Sequence, residues 1–213
     1  MTTKMTATNV QPAPEELKAL VRKCLTKRGY LYSPVPHPDF DDWPAGRRND
    51  KRTEIIRPHL DTLPGTALDI GAYFGGFSHL LEELGYEVTA VERSPLYVDI
   101  TRQVRDLTGK TFEIFEGDFY NLEKTDYDLV LALNIFHHSF KKQSKFERLL
   151  GFLGRLKCSM MIYEAHGPDE VQMSNAVLKL SPQEAAEFIA EKSGMSNIEE
   201  IGMERHRCMF KIT

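Results

Sequence analysis

The sequence predicts an α/β fold: a doubly wound, mostly parallel seven-stranded sheet with a C-terminal antiparallel hairpin, plus N-terminal helices. Three observations predict it. Short aliphatic runs alternate with helical stripes from Thr66 onward; glycines stop those stripes at Gly85, Gly109 and Gly194; and the tail holds two strand-like runs with a tight turn between them. Strand–helix repetition requires right-handed crossovers, which put helices on both faces of a mostly parallel sheet.

The elements follow in chain order. Pro14 starts a helix whose first turn carries Glu15 and Glu16, suited to the positive end of the helix dipole. Its apolar stripe is Leu17, Leu20, Val21, Cys24 and Leu25. Residues 29–46 hold Pro34, Pro36, Pro38 and Pro44, which exclude a regular element. A loop of that length is a lid, a binding loop or disordered, and Tyr30, Tyr32, Phe40 and Trp43 argue against simple disorder. Asn49 caps a helix to residue 61, with Ile55, Ile56, His59 and Leu60 facing inward. Strands are then expected over 66–70, 87–92, 111–116, 127–133 and 159–164, and helices over 77–84, 95–107 and 142–156. Ser181-Pro182-Gln183-Glu184 is a capping box with proline at the first helical position, and it opens the last helix. Strands over 198–204 and 207–212 close the chain. Two regions result: a tail, helix and lid-like segment over 1–62, its first dozen residues expected to be disordered, and a core over 63–213.

Composition excludes several function classes. A chain of 213 residues suffices for one domain with a sizeable core. No apolar run approaches the roughly 20 residues of a membrane helix, and the polar, Thr-rich N-terminus is unlike a signal peptide. Cys24, Cys158 and Cys208 are too widely spaced for a metal site or a disulfide framework, so a reducing cytoplasm is expected. The net charge of -4 lacks the basic surplus that phosphate contacts demand of a nucleic-acid binder. A small-molecule partner is therefore expected, with neither nucleic acid nor membrane; the oligomeric state is not legible.

The chemistry begins at Leu68-Asp69-Ile70-Gly71-Ala72-Tyr73-Phe74-Gly75-Gly76-Phe77-Ser78, which crosses from strand to helix. Glycine there lets the backbone turn sharply and a ligand approach closely. Glu92 ends the next strand, 21 residues after Gly71, where a carboxylate can accept both hydroxyl hydrogens of a ribose. In such sheets the ligand lies beyond the carboxyl ends of the strands.

The run from Asp69 to Gly75 resembles motif I of class I S-adenosyl-L-methionine (SAM)-dependent methyltransferases, and the resemblance extends from about Thr66 through the terminal hairpin. It implies SAM as the cofactor. It places Gly71, Tyr73 and Gly75 under the methionine and ribose portions, Asp69 at the methionine amino group, and Glu92 on the ribose. Asp118 would hydrogen-bond the adenine amino group with Phe119 beside the ring, and Asn134 would face the methionine part or the substrate. Tyr73 departs from the pattern, which has glycine there; a non-glycine fits if its φ is ordinary. A nicotinamide-binding Rossmann domain is the competing reading of the glycine loop.

Catalytic candidates are His137 and His138, in Asn134-Ile135-Phe136-His137-His138, since histidine near neutral pH can take a proton from a hydroxyl. Substrate candidates are Glu164 and His166 at the end of the fifth strand, together with Trp43, Arg47, Arg48 and Arg52, whose guanidinium forks suit a carboxylate or phosphate. No metal is expected, because these spacings fit no compact metal motif. The reading is methyl transfer to a small or medium-sized, anionic metabolite, at oxygen rather than nitrogen. An RNA-modifying transferase, loosely similar to the tRNA wobble-uridine carboxymethyl-transferring family, and a non-catalytic SAM-binding protein are the alternatives.

Overall fold

A computed structural model of the chain describes residues 10–47, 49–60 and 65–213. Arg48 and most of the N-terminal stretch expected to be disordered lie outside the described residues. One seven-stranded sheet runs through the molecule in the order β3-β2-β1-β4-β5-β7-β6. Its strands are β1 (Thr66–Ile70), β2 (Glu87–Glu92), β3 (Glu113–Glu116), β4 (Asp126–Leu133), β5 (Lys157–Glu164), β6 (Ile198–Glu204) and β7 (Arg207–Ile212). The first five pair in parallel, while β7 lies antiparallel to both β5 and β6. The doubly wound sheet with a closing hairpin is therefore the observed fold. Central β4 reads as a continuous apolar run because helices cover both faces; Leu129, Val130, Leu131 and Ala132 are all buried.

The helices are α1 (Glu15–Lys23), α2 (Asn49–Ile56), α3 (Gly76–Glu83), α4 (Pro95–Leu107), α5 (Gln143–Leu153) and α6 (Pro182–Ser193). The capping box forms at Ser181 and Glu184, and Gly194 ends α6 in a left-handed conformation. Several boundaries differ from expectation; β5, for one, begins two residues early at Lys157. Pro58 lacks an N–H and crowds the carbonyl four residues back, so α2 stops at Ile56 and tightens into a 3-10 turn over Arg57–His59. β3 starts at Glu113 because the Glu82 carboxylate captures the N–H groups of Thr111 (3.1 Å) and Phe112 (2.9 Å). α5 ends at Leu153, capped at Gly154.

The N-terminal segment packs onto the sheet's helical layer. Leu17 and Val21 of α1, with Leu31, Val35 and Phe40 of the proline-rich loop, bury against Phe74, Ile100 and Val104. Residues 31–47 are thus an ordered strap, held at its two ends by a bridge between Leu31 and Ala45. It crosses the carboxyl end of the sheet, where the site lies.

Candidate functional site

A cleft of about 370 Å³ opens beyond the carboxyl ends of β1 to β4. Its floor is the loop after β1. Gly71 has φ 77°, and a Cβ there would stand 3.0 Å from the Ile135 side chain, so glycine alone fits without displacing Ile135. Tyr73 differs from the sequence expectation: its φ is 55°, in the left-handed region, not ordinary. That conformation costs a non-glycine residue on the order of 1–2 kcal/mol. Offsetting contacts surround it. Its N–H donates to Glu92 Oε2 (3.2 Å), its carbonyl accepts from Thr101 Oγ1 (2.7 Å), and its ring packs edge-on to Tyr97 at 4.5 Å.

Three carboxylates face this cleft from three neighbouring strands. Asp69 of β1 is buried and accepts from Ser78 Oγ at 2.7 Å; burial still pushes its pKa up to about 6. Glu92, ending β2, accepts from the backbone N–H of Tyr73, Arg93 (2.9 Å) and Ser94 (2.8 Å), and burial raises its pKa against these bonds. Asp118 follows β3 and lies 3.5 Å from Arg148. Phe119 beside it is buried and packs against Phe152.

The opposite side is built from the turn after β4. His137 is buried, and neither of its ring nitrogens has a hydrogen-bond partner among the described residues. Its ring stacks on His166 at 3.6 Å and lies 3.9 Å from the His138 ring. Burial, then the neighbouring His166 and His138, push its pKa far down. Desolvation, with Lys141, Arg93 and Lys145, pushes His138 down to about 4. Burial and Arg207 also lower His166. All three rings are therefore neutral at pH 7.

Behind the histidines lies a buried charge network. Arg47 Nη1 meets Glu164 Oε1 at 3.1 Å and Glu204 at 3.5 Å. Arg52 Nη2 meets Glu164 Oε2 at 2.6 Å, and its Nε faces Glu204 at 4.0 Å, beyond hydrogen bonding. Arg205 Nε also meets Glu204 Oε1 at 3.1 Å, so three guanidinium groups share two carboxylates. They tie the strap and α2 to the ends of β5 and β6.

The sequence-derived site is brought together in part. Asp69, Gly71, Tyr73, Glu92, Asp118, Phe119, Asn134, His137, His138 and Arg52 line the cleft. Gly75 sits just behind it as the left-handed residue before α3. Arg47 and Glu164 are engaged with each other; His166 lies behind His137; Trp43 packs against Phe40 at 5.1 Å, away from the cleft. Sequence reasoning missed Tyr32, Arg93, Lys145 and Gln172 in the lining, and the pair Glu170–Arg207 behind it. Only Tyr32 carried a signal, as an aromatic in a proline-rich loop. Among the described residues no cluster of histidine, cysteine or carboxylate is arranged to hold a metal ion.

Three carboxylates along one elongated cleft, with an aromatic ring beside the third, suit a ligand that is a nucleoside at one end and cationic at the other. Such a cleft lies where a doubly wound, Rossmann-like sheet takes its ligand, beyond the carboxyl ends of the strands. Residues 68–155 match a family model described as a methyltransferase domain. No curated protein matches the sequence. Among solved structures, the bifunctional kinase-methyltransferase WbdD is similar with a TM-score of 0.75 at 21% identity, covering 92% of this chain and 46% of that one. The chain thus spans under half the length of WbdD. Magnesium protoporphyrin IX methyltransferase (ChlM) from Synechocystis PCC 6803, with bound SAM, gives 0.57 at 14% identity over 76% of each chain. The methyltransferase domain of bacterial CtHen1-CN gives 0.58 at 18%, over 78% of this chain and 98% of that one. The match to a methyltransferase domain covers residues 68–155, and these solved structures share the fold of the chain. Among the described residues no helix is long and apolar enough to cross a membrane.

Proposed function

We propose that the protein methylates a small or medium-sized metabolite at oxygen, with SAM as donor. The observation that carries this reading is the pairing of two unlike walls around one cleft: Asp69, Glu92 and Asp118 on one side, and the uncharged His137 and His138 on the other. When bound, SAM supplies an activated methyl carbon, so the protein has mainly to align the acceptor and keep water from it. Tyr32, Ser33 and Pro34 of the strap cover the cleft and serve the second task. A neutral ring nitrogen of His137 or His138 can accept a hydrogen bond from an acceptor hydroxyl and orient it; their lowered pKa values make both rings weak bases. Arg47 and Arg52 are committed to Glu164 and Glu204, so the cations that would meet an anionic acceptor are Arg93 and Lys145, which line the cleft and form no ion pair among the described residues.

Calorimetry with SAM and with NAD tests the cofactor half of the proposal: SAM is expected to bind, and binding of NAD alone would sink it. Methylation of a panel of hydroxyl, carboxylate and amine metabolites by radiolabelled SAM tests the acceptor half. Labelling confined to amines would overturn the oxygen assignment.

A further inference from the structure

Arg207 opens β7, far in sequence from the cleft, yet its buried guanidinium forks toward it. Nε and Nη2 hold the Glu170 carboxylate at 3.1 and 2.6 Å, and Nη1 donates to Asn134 Oδ1 at 2.7 Å. A guanidinium only donates. The amide oxygen of Asn134 must therefore face Arg207, which turns its NH2 group toward the Tyr32 hydroxyl, and the two are hydrogen-bonded. With a lone pair of the Tyr32 oxygen occupied in this way, its own proton remains to be given. No acceptor among the described residues takes it, and Tyr32 lines the cleft. The Arg47 guanidinium lies 5.6 Å from the centre of the Tyr32 ring, within cation–π range. What the strap presents to the ligand is a hydrogen-bond donor at a fixed place.

The strand order says which part of the ligand meets it. Asp118 follows β3, Glu92 ends β2, Asp69 is in β1 and Asn134 follows β4, and these strands are successive neighbours in the sheet. A ligand with its purine at Asp118 and its ribose at Glu92 reaches β1 and β4 with its amino-acid end. Its ammonium suits Asp69, which leaves its carboxylate in need of a donor. We propose that Tyr32 donates its hydroxyl proton to the α-carboxylate of SAM. Arg207 is then a positioning residue, which holds Asn134 and through it Tyr32 in the donating role. This rests on the SAM-binding reading above. The pair discriminates full-length SAM from sulfonium nucleosides that lack the carboxylate.

Two probes read the carboxylate directly: S-adenosylhomocysteine, which has it, and 5′-methylthioadenosine, which does not. Tyr32→Phe keeps the ring and removes only the hydroxyl. Calorimetry should show S-adenosylhomocysteine binding about tenfold or more weaker in this variant, as for loss of a hydrogen bond to a charged group, with methylthioadenosine unchanged. Asn134→Asp turns the neighbour from donor to acceptor and should reproduce the same selective loss. Equal affinity of wild type and Tyr32→Phe for S-adenosylhomocysteine overturns the proposal, as does an equal loss for both probes. If the wild type binds neither probe, it is the SAM reading itself that fails.

Discussion

Arg52 Nη2 lies 2.6 Å from Glu164 Oε2, and both side chains are almost fully withdrawn from water. The pair joins α2 to the end of β5 across 112 residues of sequence. Removing one partner of such a pair leaves an uncompensated buried charge, which costs about 3–5 kcal/mol. Glu164→Gln, which leaves Arg47 and Arg52 with only Glu204, itself already paired with Arg205, is expected to lose stability in that range in urea titration. A loss under about 1 kcal/mol would show that solvent reaches the network.

Glu92→Ala is expected to weaken SAM binding by about 1–3 kcal/mol, the loss of charge-assisted bonds to the ribose hydroxyls. Calorimetry measures it. The same carboxylate accepts from three backbone N–H groups of the loop, so the variant's unliganded melting temperature should fall as well. Unchanged affinity would remove Glu92 from the ribose site.

Asp69 is expected to make SAM binding sensitive to pH. Without ligand its pKa is pushed up to about 6, and a ligand ammonium favours the ionised form. Above pH 6 the carboxylate is ready; below it, binding must first expel a proton. Affinity should fall toward about tenfold per pH unit as pH drops below 6, with proton release visible when calorimetry is repeated in buffers of different ionisation enthalpy. Asp69→Asn should bind weakly and without that dependence.

The stacked His137 and His166 make the stability of the fold depend on pH. Both pKa values lie below the ordinary value of about 6.5, so the unfolded chain takes up protons below pH 6.5 that the folded chain refuses. Stability should therefore be full above pH 6.5 and fall with decreasing pH, by up to about 1.4 kcal/mol per unit for each ring. Asp69 works the other way between pH 6 and 4, since the fold protonates it before the unfolded chain does. His137→Asn should flatten the fall in melting temperature between pH 7 and 5. An unaltered slope would mean that His137 is not held neutral.

Much of the fold was legible because its signals are local. The ends of β2, α4, β6 and β7 coincide with the expected ones, since glycines, a proline and the Arg205–His206 turn mark them within a few residues. The positions of Asp69, Glu92 and Asp118 along the cleft were legible for the same reason: each sits at or just beyond a strand end. What was not legible depends on distant parts of the chain. Arg47 and Arg52 read as ligand-binding cations because nothing near them announces Glu164 and Glu204. Arg207 and Glu170 are 37 residues apart with no motif around either. The left-handed backbone of Tyr73 was hidden as well, because the contacts that offset it come from Thr101 and Tyr97 on another helix.

The arginines of the strap and α2 also set an order of events during synthesis. Arg47 and Arg52 leave the ribosome well before β5 and β6 exist, and their final neighbours are Glu164 and Glu204. Until those strands are made, two cations destined for the interior have only water and temporary partners. The ion pairs that tie the cover of the cleft to the sheet can therefore form only after its last parallel strand and its hairpin have been made. A nascent chain that stalls before residue 157 holds both arginines without either of their carboxylate partners.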